Sequence, residues 1–461
     1  MRFDTLLKAA IAPTLLLPIA LISSPVRANP TIAVNWSQPT GKVATPLSYG
    51  LNGFQAFSPN VAGTPGNAIY KSNVESMRPG ILRYHNMQMM NDSRTDTFGW
   101  IIAPETPQYQ WDRIKITNAF AGSYSFRPVI MLSIPSWPKA LDDGTGKLKS
   151  TEYAAFAQFC ADLVRIVNID LKRGVTYWEV TNEKDGNTTY GPDMTELGRI
   201  YNQAAQAMKA VDPTIKVGGP AFTTITNATK LDSFLSIAHP HLDFLSYHSY
   251  STGSKTNPVT DLWKSAAGLG DHTGRAKRAI AKFTPRAIET FHNEFNISWA
   301  PPDVRMTNQI SAVYDAIAMI AITNSGATGS MAWNESDGWY GKLENQWGKW
   351  ARRPSSYVYQ LFNSHLQGAI VNSRSSDSNL VMSYAVKSAN KEALALVNRS
   401  QIDRTLPITF TGWSTPVMPG ELLTIYTIGN TGYITQSATL TELANGYPLP
   451  ADAVTVITRS R

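Results

Sequence analysis

Short β-branched runs alternate with helical apolar stripes between about residues 46 and 335, and this alternation restricts the fold more than any other feature of the 461-residue chain. One such stripe contains Leu197, Ile200, Tyr201, Ala204, Ala205 and Met208, and Asp212-Pro213 ends it. Eight runs are typical of strands: Leu47–Gly50, Gly80–Arg83, Arg127–Leu132, Thr176–Val180, Lys216–Gly219, Phe244–Tyr247, Ala287–Phe291 and Gly329–Trp333. Repeated β/α units of this kind predict a parallel sheet covered by helices.

Eight strand–helix units match a (β/α)8 TIM barrel in number and spacing, and we place this barrel at residues 46–366. A doubly wound open sheet is the structural alternative. Such a sheet usually has a glycine-rich first turn, and no G-x-G-x-x-G occurs in the chain. The single cysteine, Cys160, lies at an apolar position of a predicted helix, which indicates a core residue and not a nucleophile.

After the helix around Ser355–Leu366 the pattern changes to strands separated by turn residues. It predicts an accessory antiparallel β-sandwich at residues 367–461. Its strands are Leu380–Val386, Ala393–Val397, Leu406–Phe410, Leu422–Ile428 and Ala453–Thr458. The early strand Thr31–Trp36, within residues 29–45, has no helix beside it, so we expect it to join the same sheet.

Residues 1–28 have the pattern of a secretory signal peptide: a basic start, an apolar run of about 14 residues, and Val26-Arg27-Ala28 before the expected cleavage point. The run is shorter than the roughly 20 residues that span a bilayer. We therefore expect a secreted or periplasmic protein with no membrane span in the mature chain. A retained anchor is the alternative.

Charge and motifs exclude several classes of function. The formal charge is +7, of which residues 1–28 contribute +2, and the Lys/Arg residues are not clustered as in nucleic-acid-binding proteins. This mild excess gives weak support to an anionic partner such as a uronic-acid polysaccharide. H-E-x-x-H, C-x-x-C, G-x-S-x-G and Walker A motifs do not occur, so we expect no metal and no cofactor. The oligomeric state cannot be inferred from the sequence.

Three Asn-Glu pairs supply the candidate carboxylates: Asn182-Glu183, Asn293-Glu294 and Asn334-Glu335. Active sites of barrels form at the carboxyl ends of the strands. Glu183 follows the fourth strand and Glu294 the seventh, so the two side chains are expected to approach each other across the mouth of the barrel. Two facing carboxyl groups can hydrolyse a glycosidic bond, one as a proton donor and the other as a nucleophile or base.

Other residues compete for a role at this mouth. Glu289 is a rival nucleophile inside the seventh strand, and Glu335 is either a contact of an outer sugar or a plain loop residue. His292 is interpreted as a packed residue beside the rim. Six tryptophans lie in predicted loops, where they either line a saccharide groove or cap the barrel: Trp100, Trp137, Trp299, Trp339, Trp347 and Trp350.

The order of these motifs resembles the clan of (β/α)8 glycoside hydrolases whose two catalytic glutamates end strands four and seven, and it is most similar to glycoside hydrolase family 39. The similarity includes Leu82–His85, Val217–Pro220, Asp243–Tyr250 and Trp333. It implies a retaining O-glycoside hydrolase that cleaves β-linked extracellular or cell-wall oligo- or polysaccharides. The alternative is a carbohydrate-binding protein whose barrel has lost turnover.

The resemblance also implies roles for single residues. Glu183 would be the general acid/base and Glu294 the nucleophile, with their carboxyls about 5–5.5 Å apart. Arg83 would keep Glu294 ionised, and His248 or Tyr250 would donate a hydrogen bond near it. The resemblance also implies three sugar-binding residues: Asn182 at the 2-hydroxyl, His85, and Trp333 as an apolar floor.

The sequence departs from the family beside the acid. The family commonly has Trp-Asn-Glu-Pro, where this chain has Thr181-Asn182-Glu183-Lys184. The departure leaves the catalytic glutamate in place but puts the family's usual substrates in doubt. Exo-action and endo-action are not distinguished by the sequence, although the aromatic loops and this changed motif slightly favour an open groove.

Overall fold

The structure is a computed structural model of the chain, and it describes residues 28–53, 65–85, 99–120, 124–191, 193–345 and 349–460. Apart from Ala28, the expected signal peptide lies outside these residues. The strands are β1 (Ile32–Ala44), β2 (Gly50–Asn52), β3 (Ile81–Tyr84), β4 (Ile101–Ile102), β5 (Gln110–Trp111), β6 (Val129–Ile134), β7 (Tyr177–Val180), β8 (Lys216–Phe222), β9 (Phe244–Thr252), β10 (Glu289–Ser298), β11 (Gly329–Ala332), β12 (Ser336–Asp337), β13 (Leu343–Glu344), β14 (Gly368–Ser375), β15 (Val381–Lys387), β16 (Lys391–Asn398), β17 (Arg404–Leu406), β18 (Ile408–Thr411), β19 (Leu422–Gly429), β20 (Gly432–Thr439), β21 (Tyr447–Leu449) and β22 (Val454–Ser460).

The α-helices are α1 (Pro65–Met77), α2 (Arg113–Ala119), α3 (Tyr153–Val164), α4 (Thr195–Val211), α5 (Ala228–Ala238), α6 (Val259–Ala281), α7 (Gln309–Asn324), α8 (Pro354–His365) and α9 (Leu440–Asn445). Cys160 is buried in α3, as predicted. Within the described residues, no helix combines the length and the apolar character needed to cross a membrane.

The predicted (β/α)8 barrel is confirmed. Its parallel strands close in the order β2-β3-β6-β7-β8-β9-β10-β11, and β11 pairs with β2 through Met331 opposite Gly50. Seven of the predicted strands coincide with barrel strands to within a few residues, although β9 and β10 continue past the predicted ends to Thr252 and Ser298. The continuation puts Glu294 inside the last part of β10, where the register shifts between His292 and Glu294.

The first predicted strand is wrong over Leu47–Tyr49. Residues Pro46–Tyr49 form a 3-10 turn, and the barrel strand begins only at Gly50. The cause is local capping: the Thr45 side chain accepts a hydrogen bond from the Leu47 amide, and Ser48 accepts one from the Thr45 amide. Such a capping box with proline at the first helical position favours a helical turn over a strand.

Eight further strands form a second sheet with the order β18-β1-β14-β15-β16-β22-β19-β20, and the other six described strands pair as β4-β5, β12-β13 and β17-β21. The sheet is antiparallel except where β1 pairs in parallel with β18. Its two faces enter different cores, because side chains alternate along a strand. In β16, Ala393, Ala395 and Val397 join the barrel core, whereas Leu394 and Leu396 join an outer core with β17, α9 and β21.

The same alternation builds the barrel interior in layers. The lower layer is apolar and consists of Ile81, Met131, Tyr177, Phe244, Phe291 and Met331. Two residues further along their strands lie polar side chains, which are also buried: Arg83, Ser133, Glu179, Ser246 and Asn293. Because side chains on the same face of a strand are two residues apart, a buried polar layer lies above the apolar layer. It lies toward the carboxyl ends of the strands, where the active sites of barrels form.

Candidate active site

Arg83 is the centre of the polar layer. Its guanidinium donates hydrogen bonds to Glu179 Oε2 and Glu294 Oε1, each at 2.7 Å. It also donates to the side-chain oxygens of Asn52 at 2.9 Å and Asn182 at 2.7 Å. Arg83 is fully buried, so the fork of donors is held in one orientation by four oxygen partners.

Glu294 is held through both carboxylate oxygens. Oε1 accepts from Arg83, and Oε2 accepts from the Tyr250 hydroxyl at 3.0 Å. The Nε2 atom of His85 lies 4.0 Å from Oε1. Burial, together with the charges of Arg83 and His248, holds the pKa of His85 well below its usual range, so His85 is neutral near pH 7. Glu294 is thus nearly buried, and a guanidinium and a hydroxyl hold its two carboxylate oxygens in one orientation, as a nucleophile requires.

Glu183 lies in a more open position, with its side chain 38% exposed against 7% for Glu294. The backbone is left-handed at Glu183, with φ +51°, and at Thr181, with φ +67°. Residues other than glycine adopt this conformation mainly where the surrounding structure enforces it. Here the Thr181 amide donates to Ile134 O and the Glu183 amide to Ala221 O, both at 2.9 Å. Glu183 is therefore fixed by the strands on both sides of β7.

His248 connects the two glutamates. Its Nδ1 atom lies 2.7 Å from Glu183 Oε1 and 3.6 Å from Glu294 Oε2. Burial opposes a charged imidazole, but the carboxylates of Glu294 and Glu183 outweigh burial and raise the pKa of His248. Burial likewise opposes ionisation of Glu183, yet the hydrogen bond and charge of His248, with Arg83, lower the pKa of Glu183. The opposite shifts of these two pKa values favour a charged pair in which the proton lies on His248 and not on Glu183.

The carboxyls of Glu183 and Glu294 are close enough to act on one bond. A ligand atom of each, together with one of His248, lies within 4.8 Å of the others. In the described part of the chain this is the one cluster of His, Cys, Asp and Glu with the spacing of a metal site. The guanidinium of Arg83 already provides a positive charge there. The expectation that no metal or cofactor is needed stays a prediction.

The predicted site residues lie around one cleft of about 1110 Å³. His85, Asn182, Glu183, Tyr250, Glu294 and Trp333 line it, while Arg83 and His248 bind the glutamates from below. The rings of Trp333 and His85 lie 5.5 Å apart, centroid to centroid. The structure therefore brings together all eight residues that the sequence and the resemblance indicated.

The rival carboxylates lie elsewhere. Glu289 is the first residue of β10, at the opposite end of the barrel, where it pairs with Lys216. Glu335 is fully buried and accepts a hydrogen bond from the Tyr70 hydroxyl at 2.9 Å, so neither the outer-sugar contact nor the plain loop role describes it. His292 is buried beside Tyr247, as the packed interpretation expected.

The loop tryptophans divide into two groups. Trp100, Trp137 and Trp350 are buried and cap the barrel. Trp299 and Trp339 are exposed, and Trp299 lines the cleft. Trp347 lies outside the described residues.

Lys184, the residue found where the family has proline, does not reach the cleft. Its Nζ atom lies 4.5 Å from the centre of the Trp137 ring, and Trp137 donates to Asp142 at 2.9 Å. Burial lowers the pKa of Lys184, against the opposing charge of Asp142. Lys184 therefore attaches the turn that carries Glu183 to the loop after β6.

Three buried members of the Arg83 network were not predicted from the sequence. Glu179 pairs with Arg83, Asn293 donates to Glu179 Oε1, and Asn52 donates to Asn293 O at 2.8 Å. One signal was present: Glu179 interrupts the apolar run of β7 two residues after Tyr177 and so points to the same interior as Tyr177. A charged residue in that position of a barrel strand needs a buried partner.

A closed eight-stranded barrel with two facing carboxyl groups, one beside its fourth strand and one on its seventh, has the architecture of the (β/α)8 glycoside hydrolases. The family model described as "Glycosyl hydrolases family 39" matches residues 152–402, which is more than half of the chain. The chain belongs to family 39 of the glycosyl hydrolases.

Two relatives with described activities are similar over shorter stretches. A β-xylosidase of Caldicellulosiruptor saccharolyticus is 28% identical over 191 residues, which are 38% of this chain and 38% of that protein. An intracellular exo-α-(1→5)-L-arabinofuranosidase of Acetivibrio thermocellus is 25% identical over 146 residues, 31% of this chain and 29% of that protein. The matched part thus spans 38% of one relative and 29% of the other.

Solved structures agree with the fold over nearly the whole chain. A family 39 β-xylosidase from Caulobacter crescentus superposes with a TM-score of 0.67 at 15% identity, covering 94% of this chain and all of that one. An α-L-arabinofuranosidase from Thermotoga maritima gives the same TM-score, identity and coverage. At this level of identity the likeness supports the barrel and its accessory sheet alone.

Proposed function

We propose that this protein hydrolyses β-O-glycosidic bonds with retention of configuration, through a double displacement in which Glu183 is the acid/base and Glu294 the nucleophile. One observation carries the proposal: an oxygen of each carboxyl lies within 4.8 Å of an oxygen of the other, and the two groups differ in exposure. Retaining glycosidases hold their carboxyls about 5–5.5 Å apart, whereas inverting enzymes leave about 6.5–9.5 Å for a water molecule. The short separation supports retention.

In the first step an oxygen of Glu294 attacks the anomeric carbon while the bond from that carbon to the leaving oxygen breaks. Arg83 and Tyr250 hold the two carboxylate oxygens of Glu294 in one orientation, which favours its role as the nucleophile. Glu183 gives its proton to the leaving oxygen. In the second step Glu183 takes a proton from water, the water oxygen binds the anomeric carbon, and the Glu294 carboxylate is released.

Glu183 must carry a proton to act in the first step. Without substrate, His248 lowers the pKa of Glu183 and so favours the proton on the imidazole. A bound sugar would cover the exposed part of the Glu183 carboxyl, and loss of water raises the pKa of a carboxyl group. Substrate binding thereby raises the pKa of Glu183 and favours its protonated form, which the first step needs.

Recognition of the sugar next to Glu294 falls to Asn182, His85 and Trp333. Because Asn182 Oδ1 accepts from Arg83, its amide N–H group is the donor that it offers to a 2-hydroxyl. Trp333 presents a ring beside His85 on which the CH-rich face of a sugar can stack. Neutral His85 can either donate to or accept from a hydroxyl.

The substrate we propose is a β-linked oligo- or polysaccharide outside the cell or in a cell wall. Membership of family 39 and the β-xylosidase relative support the β-linkage. The arabinofuranosidase relative makes an α-L-arabinofuranoside the first alternative to include in a substrate panel. Export is proposed from the pattern of residues 1–28 and is checked by the N-terminal sequence of protein recovered outside the cytoplasm.

Separate Glu183→Gln and Glu294→Gln variants test the mechanism on whichever aryl glycoside or polysaccharide the wild type cleaves. Each change should lower the rate by at least about a hundredfold. Glu289→Gln is the matched control. Glu289 lies on the same strand as Glu294, but at the opposite end of the barrel and away from the cleft. If neither site variant loses rate while the wild type is active, the mechanism is wrong.

Azide separates the two roles with an activated aryl glycoside. In Glu183→Ala, azide should attack the glycosyl-enzyme and yield a β-glycosyl azide, restoring turnover. In Glu294→Ala, azide should replace the missing nucleophile and yield the α-azide. The opposite pattern would exchange the assignments. A wild type that cleaves no glycan but binds oligosaccharides would support the carbohydrate-binding alternative.

A further inference from the structure

A tight turn, residues 338–342, lies between β12 and β13 in the loop after β11. The Oδ1 atom of Asp337 accepts hydrogen bonds from three backbone amides of this turn. The donors are Trp339 at 2.7 Å, Tyr340 at 2.5 Å and Gly341 at 3.0 Å. A Cβ added to Gly341 would lie 2.2 Å from the Asp337 amide nitrogen, so the turn closes this tightly only with glycine there. Asp337 therefore fixes the turn through its amides.

Arg353 binds the carbonyl groups of the same turn. Its guanidinium donates to three of them: Gly338 O and Gly341 O, each at 2.7 Å, and Trp339 O at 3.2 Å. The planar fork of donors in a guanidinium suits several acceptors at once. Arg353 is largely buried and, like Asp337, does not line the cleft. The two side chains thus hold the backbone of the turn from both its amide and its carbonyl groups.

A buried ion pair attaches the end of the turn to helix α7. The Nζ atom of Lys342 lies 2.6 Å from Asp315 Oδ2, and the two side chains are 1% and 0% exposed. Taking two charges out of water is costly, and their attraction offsets this cost only in a well-fixed geometry. The pair therefore opposes a movement of the turn as a whole away from the barrel.

The turn presents Tyr340 to the active site. The Tyr340 ring lines the cleft and lies edge-on to the Tyr250 ring, with the centroids 6.5 Å apart and 72° between the ring planes. The hydroxyl of Tyr250 donates to Glu294 Oε2 at 3.0 Å. Aromatic rings at this separation attract each other in an edge-to-face arrangement. The contact therefore favours one orientation of Tyr250, the one in which its hydroxyl reaches Glu294.

Tyr340 is itself attached to β10 and to the residue after it. Its hydroxyl donates to Trp299 O at 3.0 Å, and its carbonyl accepts from Asn296 Nδ2 at 3.2 Å. Burial and the charges of Asp337 and Glu294 raise the pKa of Tyr340 to about 12, so the hydroxyl keeps its proton near pH 7. Because that proton is directed to Trp299 O, it is not offered to a sugar. The ring of Tyr340, and not its hydroxyl proton, is the part that acts on the site.

We propose that Tyr340 is a positioning residue for the nucleophile: its ring holds Tyr250 where the hydroxyl reaches Glu294 Oε2. The 338–342 turn and its attachments hold the ring in place. This inference rests on the proposed function, in which Glu294 is the nucleophile. A ring that only contacted the sugar would act independently of the Tyr250 hydroxyl, and this difference can be measured.

A double-mutant cycle separates the two roles. Tyr340→Leu is made alone and together with Tyr250→Phe, and kcat is measured on the aryl glycoside that the wild type cleaves fastest. Tyr340→Leu should lower kcat about five- to tenfold in the wild type. In the Tyr250→Phe background it should lower kcat by less than about twofold, because no hydroxyl is left to position.

Two further variants are matched controls. Tyr340→Phe keeps the ring, so kcat should stay within about threefold of the wild type. Trp339→Leu removes the adjacent aromatic residue, which does not line the cleft, and should change kcat by less than about twofold. Equal losses from Tyr340→Leu in both backgrounds, no loss in the wild type, or a loss from Tyr340→Phe as large as that from Tyr340→Leu would each overturn the inference.

Asp337→Ala tests the support, since it releases the three amides of the turn without touching the Tyr340 ring. It should repeat the pattern of Tyr340→Leu: a loss of kcat in the wild type and almost none in the Tyr250→Phe background. Equal losses in the two backgrounds would show that the turn does not act through Tyr250.

A crystal structure of Tyr340→Leu provides a readout that does not depend on turnover. The Tyr250 hydroxyl should lie more than about 3.5 Å from Glu294 Oε2, beyond hydrogen-bonding distance, or occupy two positions. An unchanged contact would overturn the inference. If instead the wild type cleaves no glycan, or Glu294→Gln keeps the full rate, the proposed function fails on its own, and the crystal structure decides whether Tyr340 positions Tyr250.

Discussion

The guanidinium of Arg83 and the carboxylate of Glu179 form an ion pair at 2.6 Å in which both side chains are completely buried. The same guanidinium holds Glu294 at 2.7 Å. Glu179 does not line the cleft, so it acts on Glu294 through Arg83. It offsets part of the cost of burying the guanidinium and fixes its direction, which makes Glu179 a positioning residue.

Replacing Glu179 by Gln should lower the free energy of unfolding by about 3–5 kcal/mol, because it removes one partner of a buried charge and leaves the other poorly compensated. Urea denaturation followed by tryptophan fluorescence measures the change. Glu105→Gln is the control: it breaks the exposed pair of Glu105 and Lys139, and exposed pairs are worth about 0–1 kcal/mol. Equal losses in the two variants would contradict the role given to the buried pair.

The sequence was sufficient for the barrel and for most of the site because both follow from short-range regularities. Alternation of strands and helices predicts the barrel, and the end of a strand predicts the location of Glu183 and Glu294. The interior orientation of Arg83 follows from the period of two along β3. No long-range contact had to be known for these inferences.

The rest depends on contacts between distant segments or on local capping. Arg83 and Glu179 are 96 residues apart, and nothing near either residue specifies the other. The contact of Lys184 with Trp137 joins two different loops. At Pro46–Tyr49 the apolar and aromatic residues predict a strand, but the capping box of Thr45 and Ser48 favours a 3-10 turn.

Tyr250→Phe removes the hydroxyl that donates to Glu294 Oε2 at 3.0 Å and leaves the ring in place. Hydrogen bonds to charged groups contribute about 1.5–3 kcal/mol, so we expect kcat to fall roughly ten- to a hundredfold. Burial and the glutamate charges raise the pKa of Tyr250 well above its usual range, so the hydroxyl stays a donor over the working pH range. Steady-state kinetics at fixed pH measure the change. An unaltered kcat would show that this hydrogen bond does not orient the nucleophile.

His248→Asn should move the alkaline limb of the pH profile of kcat/KM to higher pH. Burial raises the pKa of Glu183, and His248 is the main group that lowers it below the usual value. The acid works when protonated, so activity is present below this pKa and lost as the pH rises through it. Without His248 the pKa rises, and the loss occurs at higher pH. Rates measured between about pH 4 and 9 test this sign, and a limb that stays or moves down would contradict it.

Lys184→Met tests whether the residue in place of the family's proline serves the acid or only its supporting loop. The ammonium of Lys184 lies over Trp137, a contact worth about 0.5–2 kcal/mol, and methionine keeps the apolar stem without the charge. We expect a loss of stability of that size, measured by urea denaturation. The groups that set the pKa of Glu183 are His248 and Arg83, so the pH profile of kcat/KM should keep its position. A shift of the alkaline limb to higher pH would instead show that the charge of Lys184 acts on the proton donor.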